Sequence, residues 1–226
     1  MPYRTFICLA NSRKLDGRCV AGKDVTTHKW IRPVSHLETG ELLPQHIHYQ
    51  DGTIPNCLDI IRIEIVKSVP KYYQPENVLI SDIQWIKEGT FPLSRLEELC
   101  DYGANFVTIE GGSDRISDSY LKKNKINSSL ALIRPQALLI YKTYSFSRKP
   151  QLKAKFKYNG EDYHLVVTDP IIEGYDFSNN QFYKVTSKKT YLCVSLGEPF
   201  GVDCYKLVAS IIFATKPHFI SVDKLE

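Results

Sequence analysis

Apolar positions in this chain fall in short runs rich in Val, Ile, Tyr and Phe, with turn-forming residues between them. "YRTFICLA" (3–10) predicts a strand, "NSRKLDG" (11–17) a turn and "RCVAG" (18–22) a second short strand. "HKWIRPV" (28–34) predicts a third strand that ends at Pro33, because proline has no N–H to give a central ladder. Residues 36–57 carry Gly40, Pro44, Gly52 and Pro55 and predict a long loop with one short element. "CLDIIRIEIVKSV" (57–69) is β-branched and partly alternating, which predicts another strand. "QPENVLI" (74–80) reads as the entry to a short strand or helix, with Glu76 and Asn77 as turn or cap residues.

The middle of the chain changes texture. Pro92, then Leu93, Leu96 and Leu99 at a spacing of three, then Gly103, predict a helix. Apolar content falls between "EGGSD" and "NKINSS", so residues 104–129 predict a bridge. Beyond it "ALLIYKTYSF" is apolar. "QLKAKFKY" (151–158) alternates strictly, Leu152, Ala154, Phe156 and Tyr158 on one face and Lys153, Lys155 and Lys157 on the other. "NGED" supplies an Asn-Gly hairpin turn. "YHLVVTDP" returns, a polar loop follows from Glu173 to Lys189, and "TYLCVSLG" and "CYKLVASIIFAT" close the pattern.

The expected fold is mainly β: two small OB-like β-barrels joined by a partly helical bridge. Residues 1–88 form the first barrel, 89–130 a helical or loop bridge and 131–226 the second barrel. About five strands per half suit the five-stranded OB barrel. Two short echoes link the halves at unequal offsets, "SRK" at 12–14 and 147–149 and "IRP" at 31–33 and 133–135.

Composition adds boundaries. With 226 residues, 43% hydrophobic and 24% charged, the chain can bury a core. No apolar run approaches the roughly 18 residues that span a bilayer, and the amino terminus lacks an apolar segment with a small-residue cleavage site. A cytoplasmic protein with no membrane partner is expected. The six cysteines include no C-x-x-C pair and sit in strand-like contexts such as "TYLCVSL", so they read as reduced core thiols.

The net charge of +4 is less informative than its distribution. From Lys142 to Lys157 there are six basic residues and no acidic one, and from Arg4 to Arg32 seven against Asp16 and Asp24.

Gly17, four intervening residues and Gly22-Lys23 approximate the phosphate loop G-x-x-x-x-G-K-[ST]. Asp24 stands where a hydroxyl should meet Mg²⁺, and "VTTHKWIRP" leaves no room for the helix that must follow. Gly17 therefore reads as a turn residue and Gly22 as a bulge or close-approach residue. The cations Arg13, Lys14, Arg18 and Lys23, with Trp30 and Arg32 on the next strand, can track a phosphate backbone while a base stacks on the indole. Equally, Trp30 can be core and the cations a solvated face. Arg148, Lys149, Lys153, Lys155 and Lys157 form a second candidate stripe, about 14 Å between the outer two strand lysines, which can also be an ordinary edge-protecting face.

Other constellations carry less. His46 and His48 with Cys57 lack the further ligand a zinc site requires, and exposed loop histidines are the plainer reading. Asp169 in "VTDP" either fixes a turn with Thr168 or acts as a carboxylate catalyst needing a partner. No serine sits in a G-x-S-x-G elbow. No catalytic residue, metal or cofactor is indicated.

The segments "CLANSRKLDGRCVAGK" with "WIRPVS", "YQPENVLI", "KAKFKYNGEDYHLVVTDP" and "YLCVSLGEPFGVDCYKLVASII" resemble the prokaryotic family of dual OB domain-containing proteins, weakest across 104–129. The resemblance implies two OB-type barrels and nucleic-acid or nucleotide binding, and carries over no catalytic residue. Three readings follow. The first is a non-catalytic module that holds single-stranded nucleic acid by basic strand faces and aromatic stacking. The second is a sensor of a nucleotide or signalling molecule in the cleft between barrels. The third is an adaptor for a protein encoded by a neighbouring gene, as in a bacterial defence or DNA-processing cassette.

Overall fold

The computed structural model describes residues 2–103, 105–145, 147–179 and 181–222. The first half contains β1 (Tyr3–Lys14), β2 (Gly17–Asp24), β3 (Trp30–Val34), α1 (Pro44–Ile47), β4 (Asp59–Ser68), β5 (Asn77–Ile80) and β6 (Ile86–Thr90). Five of these strands close a ring in the order β1-β2-β3-β5-β4-β1, and β6 hangs on the outside of β4. Every ring pairing is antiparallel except β3 with β5.

One long strand closes the ring. Tyr3 to Ile7 of β1 pair with β4 while Phe6 to Lys14 pair with β2, and a bulge between Cys8 and Ala10 bends the strand from one partner to the other. Gly22 lies opposite the bend, where a Cβ would fall 1.9 Å from the carbonyl oxygen of Ile7. The glycine is there for this close approach, as the sequence suggested, and not for a phosphate.

Pro33 does not end β3. It is buried and lies within the parallel ladder opposite Val78. The β2 pairing stops at Ile31, and Arg32 supplies the N–H to the Glu76 carbonyl on the β5 side, so no partner is denied a donor at Pro33.

The rest of the chain contains β7 (Arg115–Ser117), α2 (Asp118–Lys123), β8 (Leu130–Ile133), β9 (Leu138–Tyr144), β10 (Pro150–Tyr158), β11 (Glu161–Val167), α3 (Pro170–Glu173), β12 (Phe182–Thr186), β13 (Thr190–Phe200), β14 (Asp203–Phe213) and β15 (His218–Val222). Their sheet runs β15-β12-β9-β10-β11-β14-β13-β8, with β7 on β14. β8, at one end of that order, leads through residues 134–137 into β9, third from the other end. Taking β8 and β9 as one interrupted strand, the order β8/β9-β10-β11-β14-β13 repeats that of the first barrel, including its single parallel pair, here β11 with β14. The "SRK" echo falls near the same corner of both rings, at the end of β1 in the first and in the β9–β10 connection in the second, whereas the two "IRP" segments occupy different places.

Between the rings, the leucines at spacing three form a 3-10 helix over Leu93–Leu99. Three residues per turn is that helix's own period, and it stacks Leu96 and Leu99 on one buried side. A second 3-10 turn covers Phe106–Thr108, and β7 then joins the second sheet. The polar stretch expected from Glu173 to Lys189 contains β12, which pairs with β9 and β15. β12 is too short, and too closely flanked by Asn and Ser, to show its period.

Each barrel has its own core, around Phe6, Ile61, Ile63 and Trp85 in the first and Ile140, Phe156, Leu165 and Val194 in the second. A third apolar cluster joins them, in which Ile7, Leu9 and Ala21 of the first barrel meet Leu132, Cys193, Ala209 and Ile212 of the second. Strands buried on both faces read as continuous apolar runs, which accounts for "FICLA", "YLCVSL" and "VASII". All six cysteines are unpaired, with Cys8 and Cys193 in these cores. No helix among the described residues is long and apolar enough to cross a membrane.

Candidate nucleic-acid interface

The basic residues of the first half are drawn mostly into contacts within the molecule. Arg13, at the end of β1, forms a forked pair with Glu173 of α3, 2.8 Å and 3.2 Å long, which holds its guanidinium above its ordinary pKa. Lys14 bonds Glu198 of β13 at 2.8 Å and the Thr39 carbonyl. Lys23 is 4% exposed, its ammonium 2.6 Å from Asp101 and 2.7 Å from the Leu99 carbonyl.

Arg32 is also 4% exposed. It donates to Glu76 at 3.0 Å, to Cys19 at 3.0 Å, to Ser129 at 2.8 Å and to Ser195 of β13 at 3.2 Å. Glu76 in turn accepts from the Ser129 backbone at 3.1 Å and from its hydroxyl. Burial works against the Arg32 charge, and Cys19 and Glu76 more than offset it, so the guanidinium stays protonated. The expectation that Lys23 and Arg32 face a phosphate backbone is therefore corrected: both point inward, where an acid neutralises each. Arg18 is half-buried at the start of β2 and forms no ion pair among the described residues. Trp30 is half-buried, its indole N–H donating to Asp101 at 3.1 Å.

The second stripe is different. Leu152, Ala154, Phe156 and Tyr158 are buried, so Lys153, Lys155 and Lys157 stand on the outside of β10. Strand register extends this face sideways. One cross-strand row runs Phe182, Tyr141, Lys153, Val166, and the next runs Lys184, Leu139, Lys155, His164, across β12, β9, β10 and β11. Neither row contains an acid. The nearest one, Asp162, stands opposite Lys157 at the hairpin end. Lys153, Lys155, Lys157 and Lys184 form no ion pair among the described residues. Arg148 and Lys149 are exposed in the β9–β10 turn beside them.

Three rings lie among the cations. Tyr141 and Phe182 have centroids 4.9 Å apart, and the Tyr141 hydroxyl is 3.1 Å from Nδ1 of His164. Burial raises the Tyr141 pKa. Burial and then Lys155 and Lys153 lower that of His164, so at neutral pH the imidazole is uncharged among lysines. Sequence reasoning found the lysines by their period of two but missed Tyr141, His164, Phe182 and Lys184. Tyr141 and His164 were readable once β9 and β11 were registered against β10, whereas Phe182 and Lys184 lie on the strand taken for loop.

The remaining candidates are structural. His46 sits in α1 and is half-buried, its Nδ1 accepting from the Leu43 N–H at 3.1 Å, and His48 is the half-buried residue after that helix, so neither is an exposed loop histidine. Asp169 caps α3 by accepting from Ile171 N–H at 2.9 Å and also accepts from Ile211 N–H at 2.9 Å. Burial raises its pKa against those bonds. Among the described residues no three His, Cys, Asp or Glu side chains gather as metal ligands do.

Among solved structures, the chain is similar to the p204 HINb domain, with 10% identity, a TM-score of 0.33 and coverage of 98% of this chain and 97% of that one. It is similar to the tetrameric p202 HIN2, with 8% identity, a TM-score of 0.31 and coverage of 98% and 94%. It is also similar to a murine DNA-binding protein bound to double-stranded DNA, with 8% identity, a TM-score of 0.28 and coverage of 99% and 100%. Likenesses this distant carry no argument about function. No curated protein matches in sequence. The family described as Dual OB-containing domain matches residues 4–211, spanning both rings and the segment between them, and the chain belongs to that family.

Proposed function

We propose that this protein is a non-catalytic module that binds single-stranded nucleic acid on the outer face of β9, β10, β11 and β12. The observation that carries the reading is the pair of adjacent cross-strand rows, Phe182-Tyr141-Lys153-Val166 and Lys184-Leu139-Lys155-His164, which set three lysines beside three rings on one face and contain no acid. Lysines on a β-surface can follow phosphates while bases lie on neighbouring rings. Lys153 and Lys157 are about 14 Å apart along the strand, close to two steps of an extended single strand. Arg148 and Lys149 extend the positive surface at the turn. The first barrel supplies rigidity, because its cations Arg13, Lys14 and Arg32 bind groups of the second barrel.

Fluorescence anisotropy with labelled 15- to 20-residue single-stranded DNA and RNA and their duplexes, at several salt concentrations, tests this reading. Single strands should bind in preference to duplexes, with log affinity falling against log salt by about 0.7 per phosphate contacted. The Lys153→Glu/Lys155→Glu/Lys157→Glu variant should remain folded and lose most of that affinity. Salt-independent binding, or binding unchanged in the variant, contradicts it.

A further inference from the structure

A cavity of about 410 Å³ is walled by Trp30 of β3, by Asp101, Asn105 and Phe106, and by Lys125, Asn127 and Ser128 ahead of β8. The indole in its wall is fixed. Its N–H donates to one oxygen of Asp101 at 3.1 Å, and that oxygen also accepts from the Leu132 N–H at 2.8 Å. The other oxygen takes the Lys23 ammonium at 2.6 Å, and that ammonium lies 5.2 Å from the centre of the indole ring. Asp101 is thereby paired with a cation, and the indole is held both by its N–H and by the ammonium over its ring. What remains for the cavity is a held aromatic surface, which needs no reordering to stack a flat ligand.

The polar groups around it differ in their availability. Asn105 is committed, donating to the Tyr158 hydroxyl at 3.1 Å and accepting from the Val107 N–H at 3.0 Å. Ser128 accepts from the Leu130 N–H at 3.0 Å and keeps its own O–H to donate. Lys125 and Asn127 are exposed on the rim, and Lys125 forms no ion pair among the described residues. The volume lies in the range of small-molecule sites.

We infer that this cavity binds a nucleoside phosphate, the base stacked on Trp30, its edge against Asn127 and Ser128, and its phosphate met by Lys125. The ligand is a free nucleotide or one nucleotide of a strand, since both present the same base and phosphate. The site shares no residue with the lysine face of β10 and stands independently of the strand-binding reading.

The chain has two tryptophans, and Trp85 is 1% exposed inside the first barrel. A Trp85→Phe protein therefore reports Trp30 fluorescence alone, and the wild-type protein, with Trp85 shielded, serves as a second reporter should that variant fold poorly. AMP, GMP, CMP, UMP, adenosine and a single-stranded oligonucleotide are titrated into each, and into Lys125→Glu and Lys153→Glu/Lys155→Glu/Lys157→Glu versions. The inference expects saturable quenching by at least one nucleotide. Lys125→Glu should weaken that binding about tenfold and change adenosine binding little, as loss of one charge-assisted contact does, while the triple variant leaves it intact. Quenching by the oligonucleotide alone, lost in Lys125→Glu and kept in the triple variant, assigns the ligand to a strand. Absence of quenching up to millimolar ligand overturns the inference. So does quenching that follows the triple variant and ignores Lys125→Glu. Either result leaves the strand-binding reading to be decided by the anisotropy experiment alone.

Discussion

Arg13 of the first barrel and Glu173 of the second meet through paired hydrogen bonds, 2.8 Å and 3.2 Å long. A cation that the sequence places beside a phosphate-like loop is instead held across the seam between two rings. Its side chain is 54% exposed, and exposed pairs contribute about 0–1 kcal/mol. Arg13→Ala should therefore lower stability by no more than about 1 kcal/mol in urea denaturation and leave oligonucleotide affinity nearly unchanged. A large loss of affinity in a folded protein would return Arg13 to the binding surface.

The buried pair of Arg32 and Glu76 behaves differently, because both side chains are almost fully enclosed, 4% and 3% exposed. Arg32→Met should leave a buried carboxylate without its partner and cost about 3–5 kcal/mol. Arg32→Met/Glu76→Leu removes both charges and should recover most of that loss. Urea denaturation of the two variants measures the difference, and a double variant no better than the single would contradict the neutralising role of Arg32.

His164 supplies a pH dependence. Its folded pKa lies below the ordinary value, near 6.5, so on acidification the unfolded chain takes up this proton first. The histidine therefore lowers stability as pH falls from about 6.5 through its folded value, and costs nothing above that window. Lys153→Gln/Lys155→Gln should raise the His164 pKa, read from its imidazole resonances by NMR, because the two cations that depress it alongside burial lose their charge. A phosphate bound near the imidazole should raise it as well, so strand affinity should increase on mild acidification. An unmoved His164 titration would show that burial alone sets it.

Lys206 is 1% exposed and donates to the carbonyls of Val107, Ile109 and Ser113 at 2.9, 2.7 and 2.9 Å, with that of Gly111 at 3.5 Å. Three donors on one ammonium thus gather the backbone of residues 107–113. Lys206→Met leaves those carbonyls unpaired and should cost about 2–4 kcal/mol. Hydrogen exchange should rise in residues 105–115 more than in either barrel, and uniform loosening would contradict this local role.

How far the fold can be read from sequence depends on whether its signal is local. The alternation of β10 is visible because a period of two separates its lysines from its core residues, and the Asn159-Gly160 turn is visible because both residues take left-handed φ, +49° and +85°. The role of Glu76 is invisible in "QPENVLI" because Arg32 is 44 residues away and the Ser195 that shares Arg32 lies in the other barrel. For the same reason the cations at 13, 14, 23 and 32 look like a binding surface: sequence shows that they are basic and close together, and only tertiary pairing shows which acid each one meets. Tyr141 escaped notice because a ring in an apolar run reads as core until its strand is registered against the lysines.

The most direct test of the account compares two charge-reversed proteins in one experiment: Lys153→Glu/Lys155→Glu on the β10 face and Arg13→Glu/Lys14→Glu at the seam, each titrated with the same single-stranded oligonucleotide at two salt concentrations after its folded fraction is measured. The first protein should keep wild-type stability and lose affinity and salt dependence, whereas the second should lose stability and keep its affinity per folded molecule. Loss of affinity confined to the seam variant would contradict the account.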